Sequence, residues 1–264
     1  MRLVLVLTMV LAQLGAGTLL LASLLPTREI RSSFFSFHSA FGAIALGLAL
    51  ILSKFSLSRS WWDLRYLELT VTGALAAGGC FRFGRFGAGR LFLAGAGALG
   101  LACGVLPLAR LALTSRGGAS SAAGLFQAGA LAGALLLGAT HVGMVLGHWY
   151  LLMRQLSFVY LERFARLLLA AVGIRIAVVI GTFVLLGRLD PDLAARWLPS
   201  LWSVDGHLFF FLIRIVWGLA LPLVLGIYVW RLVRLRSNQA ATGMLYVIEV
   251  SVLFGELFAA YLMI

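Results

Sequence analysis

Apolar residues fall in runs of about twenty or more, separated by short polar or glycine-rich stretches. That spacing matches helices crossing a bilayer, since about 20 apolar residues at 1.5 Å each span the hydrocarbon. The longest run, residues 122–153, carries two of the four histidines. At about 100° per residue, Gly129, Gly133, Thr140, Gly143 and Gly147 share one stripe of this helix, while His141 and His148 share another. Small residues at four-residue spacing let a neighbouring helix approach closely in lipid, so this helix is expected at the centre of a bundle, glycines against another helix.

The other runs follow in order. The first reaches Leu25 and stops at Pro26. It is too long for a signal-peptide core, has no small-residue cleavage pattern, and reads as a membrane anchor. The second covers about Phe35 to Phe55, with His38 in its first turn. Trp61 and Trp62 beside Arg59, Asp63 and Arg65 suggest an interfacial segment. The third span, Tyr66 to Phe83, is short, contains Glu68 and runs into a glycine-rich loop around Gly84 to Gly89. The fourth, Leu91 to Thr114, is expected to lose regularity at Pro107 and Arg110. After the central helix, residues 154–169 mix Arg154, Glu162, Arg163 and Arg166 with aromatics, as at a helix start among headgroups. The sixth span continues to Gly187 and holds Arg175. Asp190 to Asp205 is the one substantial hydrophilic loop, with Trp197 and Trp202 expected to float it on the interface. The seventh, His207 to Trp230, carries Arg214 and is interrupted by Pro222. The last, Ala241 to Met263, contains Glu249 and Glu256. The expectation is an all-α polytopic bundle of about eight transmembrane helices, seven if the third span does not cross, forming one domain over residues 1–264 without a soluble part.

Composition supports this class: 62% hydrophobic residues and a mean hydropathy of +1.04 leave too little polar surface for a soluble globule. The net charge of +12 comes almost wholly from arginines scattered singly between apolar runs. No basic face for nucleic acid results, and the lipid bilayer is the expected partner. Cys80 and Cys103 read as small buried hydrophobes. With eight crossings the two sides hold eleven and eight basic loop residues; with seven, thirteen and six. Either count puts the loops at Arg154–Arg166 and Arg231–Arg236 in the cytoplasm of a bacterial inner membrane. The C-terminus and the Asp190–Asp205 loop then lie outside.

No zinc-protease, serine-elbow, phosphate-loop or CxxC motif is present, and no metal site is indicated. The chemistry that remains is intramembrane: ionisable groups are costly in hydrocarbon and face a bundle interior or a cavity. His141, His148 and His38 are candidate ligands for a haem or chlorin. His141 lies about 18 Å and His148 about 8 Å from the cytoplasmic end, with His38 at His148's level if the third span crosses. His148, beside Trp149 and Tyr150, also suits an interfacial anchor, as do His38 and His207 at their helix starts. Thr242, Glu249 and Glu256 form a heptad stripe expected to face protein, where the glutamates could relay protons, meet a quinone hydroxyl or hold ion pairs. Arg214 and Glu256, each about 12 Å from the same face on consecutive helices, are expected to pair, with Arg175 beside His141 or Glu249.

This pattern points to a membrane subunit of a respiratory or photosynthetic electron-transfer complex, packed against other membrane subunits. Its buried His, Arg and Glu would support a quinone, haem, pigment or proton path. A small-solute or ion transporter is the alternative, and a purely structural accessory subunit the second.

Overall fold

The computed structural model describes residues 2–27, 29–56, 61–153, 156–203 and 207–263, with the side chains of 56 and 61–63 outside that description. The expected roles of Arg59, Trp61, Trp62, Asp63, Arg154 and Asp205 therefore lie outside what is described. The described residues form helices and turns without a strand: α1 (Arg2–Ala22), α2 (Ser32–Ser56), α3 (Trp61–Arg82), α4 (Phe86–Ser115), α5 (Ala123–Leu152), α6 (Val159–Leu189), α7 (Pro191–Ser200), α8 (His207–Arg234) and α9 (Asn238–Met263). Seven of them, all except α3 and α7, are long and apolar enough to cross a membrane.

The eight long helices run alternately up and down. At one face, Arg2 of α1, Arg116 after α4, Arg196 of α7 and His207 of α8 line one depression. Arg116 Nε donates to the carbonyl of Met263 at 3.0 Å, which brings the end of α9 to the same face. At the opposite face, Arg90 Nε donates to the carbonyl of Ser23 at 2.8 Å, and Phe34 packs edge-on against Trp149 at 5.6 Å. Both chain ends thus share one face, here termed the terminal face.

This arrangement settles the path of the third span. Phe35 stacks on Phe81 at 4.9 Å at one end of α3, and Lys54 meets Glu68 at 3.8 Å at the other. So α3 lies antiparallel to α2 over its whole height and returns the chain across the bundle. Its low apolarity fits its place between α2 and α4, where Gly73 and Gly78 face the small side chains of Ala96 and Ser39. The glycine-rich stretch expected as a loop is mostly helix. Only a tight turn intervenes, with Gly84 at φ +72°, a left-handed conformation that disfavours a side chain.

The two prolines do not end their helices. Pro107 follows a π-helical segment at Gly100–Val105 and Pro222 one at Val216–Ala220. A helical proline clashes with the carbonyl four residues earlier, here Cys103 and Gly218, and both lie inside the widened turns. The loop after α6 also departs from expectation. Asp190 caps α7, and Trp197 is buried, its Nε1 donating to Leu262 O at 2.9 Å; Trp202 alone of that pair stays exposed. Cys80 and Cys103 are half-buried.

The central position of α5 is reflected in its burial: 78% of its apolar window is buried inside the protein, against 22% for α6 and for α8. Its glycine stripe faces protein as the spacing implies. A Cβ at Gly133 would stand 2.6 Å from Glu256, one at Gly147 3.0 Å from Thr242, and one at Gly143 3.5 Å from Phe164. The closest backbone approach uses another glycine, Gly138, where a Cβ would overlap the backbone of Gly17 on α1. Gly138→Ala should therefore force α1 and α5 apart at a cost of about 1–3 kcal/mol. Gly124→Ala, into open space, should be neutral or stabilising by up to about 1 kcal/mol. Thermal unfolding in detergent measures both, and equal behaviour would refute the close contact.

Asp190 yields a prediction about pH. Its carboxylate accepts the backbone N–H groups of Ala119 at 2.6 Å and Leu193 at 3.0 Å, which tie the turn before α5 to α7. These donors favour the charged form and hold its pKa below the ordinary carboxylate value. The stability Asp190 supplies is then fully present above the unfolded-state pKa and lost as pH falls through the lower folded-state value. The unfolding-temperature gap between wild type and Asp190→Asn should shrink on acidification; a gap independent of pH would contradict this account.

Candidate functional site

The stripe Thr242, Glu249 and Glu256 on α9 lies against α5, and each carboxylate meets a different partner. Glu256 binds Arg175 of α6 with both oxygens: Nε donates to Oε1 at 2.8 Å and Nη2 to Oε2 at 2.6 Å. The remaining guanidinium arm donates from Nη1 to the carbonyl of Gly129 on α5 at 2.6 Å. Arg175 and Glu256 are 1% and 4% exposed, so this is a bidentate ion pair sealed inside the bundle. Next to it, Gln13 of α1 donates from Nε2 to the carbonyl of Ala130 at 2.9 Å.

Two expectations are overturned here. Arg214 does not pair with Glu256, and Arg175 is not beside His141 or Glu249. Levels counted along helix axes place Cα atoms, whereas an arginine head reaches well along its own helix. Absence of a side chain at Gly129 and Gly133 then opens the space into which Arg175 and Glu256 fit.

About 10 Å further along α9, one heptad away, Glu249 meets His141 of α5, with Oε1 3.3 Å from Nδ1. His38 of α2 completes the cluster. Its ring lies 5.8 Å from that of His141, and both rings are buried. This corrects the interfacial reading of His38 and its expected partnership with His148. Phe41 stacks on His141 at 3.9 Å, and Phe34 and Phe37 flank His38 at 4.2 and 5.4 Å.

The hydrogen bonds constrain where protons sit. His38 Nδ1 lies 2.8 Å from the carbonyl of Phe34, which only accepts, so Nδ1 carries the hydrogen and the neutral ring leaves a lone pair on Nε2. At His141 the shared hydrogen lies between Nδ1 and the carboxylate. Nε2 of His38, Nε2 of His141 and Oε2 of Glu249 are all buried without a hydrogen-bond partner among the described residues. Such groups are costly to leave unmade, and three of them gather around one hydrogen bond.

Ligation of a large cofactor fits these nitrogens less well. Both Nε2 atoms are sealed, and the His141 ring face is covered by Phe41, so a haem or chlorin does not fit against either one in this packing. His148 lies apart: its side chain is exposed on the outside of α5, where Nδ1 is 3.3 Å from the hydroxyl of Tyr246. His207 is half-buried and stacks on Tyr261 at 6.3 Å. Among the described residues no group of three or more His, Cys, Asp and Glu is arranged to hold a metal ion. No family model, curated protein or solved structure matches the chain.

Gln13 and the phenylalanines around the histidines are the site residues that the sequence reading passed over. A signal for Gln13 existed, since one amide in an otherwise apolar span must face protein to find its partners. The phenylalanines gave only a weak signal: Phe34, Phe35, Phe37 and Phe41 cluster at the start of α2, but α8 and α9 carry phenylalanines too.

Removing either member of the Arg175–Glu256 pair leaves a buried charge without its counterpart. Arg175→Gln and Glu256→Gln should each destabilise by about 3–5 kcal/mol, and the double variant by clearly less than their sum. Arg214→Gln combined with Glu256→Gln should show much weaker coupling, since Arg214 feels the field of Glu256 without a direct contact. Unfolding in detergent measures the three single and two double variants against wild type, and coupling of Glu256 to Arg214 instead of Arg175 would refute the pairing.

Proposed function

We propose that the chain is a membrane-embedded subunit of an energy-converting complex in which His38, His141 and Glu249 form a proton-binding site within the bilayer. The observation that carries this reading is the set of three unpartnered polar atoms around the His141–Glu249 hydrogen bond. A proton added there converts the pair to imidazolium and carboxylate, and the second histidine offers the next lone pair. Arg175 and Glu256, already satisfied by one another, hold the helices that carry the site. A quinone or pigment belongs in this reading to a neighbouring subunit, because the sealed nitrogens favour proton exchange over ligation. Other membrane subunits would pack against the poorly buried faces of α6 and α8. The side with more basic loop residues would be cytoplasmic, which places the terminal face outside a bacterial inner membrane.

Transport of a small solute or ion is the second reading. It is favoured by the π-helical segment of α8, since such widened turns recur at functional sites.

Vesicles holding the protein and a trapped pH dye test the proposal. A membrane potential should drive proton entry, and His141→Phe and Glu249→Gln should each slow it by about tenfold or more. Arg166→Gln, which changes a headgroup-level arginine, should leave the rate unchanged. Equal rates in wild type and both site variants would overturn the proton site. A Soret or chlorin band in the purified protein, lost in His141→Ala, would replace it with cofactor binding.

A further inference from the structure

We infer that a wedge between α6 and α8, near the terminal face, binds the carboxylate head of a long-chain amphiphile on Arg214. The two helices touch along residues 221–234 of α8 and diverge over His207–Ile215. They leave a cleft of about 40 Å³ backed by Met263 of α9 and bounded by Trp197 of α7. Its walls are Val179, Phe183, Phe211 and other apolar side chains, with the arginines 175 and 214 as its charged members. As α6 and α8 are the least buried of the spanning helices, a gap between them gives onto the lipid side.

The charges in this wedge do not balance. Arg175 is neutralised by Glu256, and all three of its nitrogens already donate. Arg214 has no hydrogen bond or ion pair among the described residues, although it lies about 10 Å along α8 from its start. The other polar groups lining the wedge have their hydrogens committed: Thr182 donates to the carbonyl of Val178 and Trp197 to that of Leu262. The site therefore holds one uncompensated positive charge, with donors only on a planar guanidinium. An arginine at that depth needs water, a carbonyl or an anion beside it, and of these an anion also balances the charge.

Size selects among anions. A water occupies at least about 10–15 Å³ by this measure, so the wedge holds roughly three waters' worth of atoms. A carboxylate is of that size, carries one charge and matches the guanidinium fork with two parallel hydrogen bonds. A phosphodiester with glycerol and two chains is too broad. The carboxylate fills the wedge, and the alkyl tail leaves it past the apolar side chains at its mouth to lie against α6 and α8 in the bilayer. A single-chain fatty acid meets each requirement.

Native mass spectrometry of the full chain in uncharged detergent with added oleate tests the inference. Wild type should retain one oleate. Arg214→Gln should bind it about tenfold more weakly, and so should Thr182→Phe, which fills the wedge and leaves the charge in place. Arg214→Lys, keeping the charge and losing the fork, should fall between, so the test survives if Arg214→Gln does not fold. Phosphatidylglycerol and inorganic phosphate should not displace the oleate. Undiminished binding to Arg214→Gln or Thr182→Phe, or displacement by either phosphate compound, would overturn the inference.

Discussion

The bidentate pair between Arg175 and Glu256 is the constraint around which the bundle is arranged. Two charges in a bilayer interior are tolerated only when hydrogen bonds satisfy them nearly completely, and here every guanidinium nitrogen has an acceptor. The pair fixes α6 against α9, and the bond from Nη1 to the carbonyl of Gly129 adds α5. A side chain at residue 133 would collide with Glu256, and one at 129 would have to displace the end of Met263 beside Arg175. The glycines of the central helix thus serve two ends: they bring helices close, and they make room for the one large polar feature that the close packing must enclose.

Spacing along α9 then separates two kinds of polar chemistry. Glu256 lies in a closed network with its oxygens satisfied, whereas Glu249, one heptad away on the same stripe, has one oxygen bonded and one unpartnered. A closed network resists rearrangement, whereas a half-satisfied one leaves acceptors open. Rigidity where the first lies fixes the register of α5 and α9, and that register brings His141 level with Glu249. The antiparallel α5–α9 contact sets Gly133 against Glu256, His141 against Glu249 and Gly147 against Thr242, so a shift at the first pair would displace the second.

Much of this architecture was legible from the sequence because one physical rule controls both. Ionisable and small residues cannot be wasted on lipid, so the glycine stripe of α5 and the acidic stripe of α9 both had to face protein. Their facing each other follows from the same periodicity. Partner identity was not legible to the same degree. Equal depth made Arg214 the apparent partner of Glu256, yet depth along an axis ignores helix azimuth, tilt and the reach of an arginine, and these bring Arg175 there instead. His38 was misplaced for a related reason: a position in the first turns of α2 reads as interfacial, but α2 begins beneath Trp149, and Phe34 and Phe37 close over it. Hydropathy likewise understated α3, whose small and hydroxyl residues face two neighbouring helices.

The prolines follow the same logic of local cost and distant use. Pro107 and Pro222 would break regular helices, and in both cases the backbone widens one turn earlier, keeping the helix continuous. In α8 the widened turn is also where Gly218 meets Gly255 of α9 backbone to backbone, a contact without room for a side chain on either residue. That contact pins α8 to α9 at Gly255, next to Glu256. On the proline side of this pivot α8 lies along α6, and on the other side it leaves α6 while staying on α9. The divergence that exposes Arg214 thus begins at a fixed point beside the buried ion pair, and the sequence places proline, glycine and arginine within nine residues of one another to achieve it.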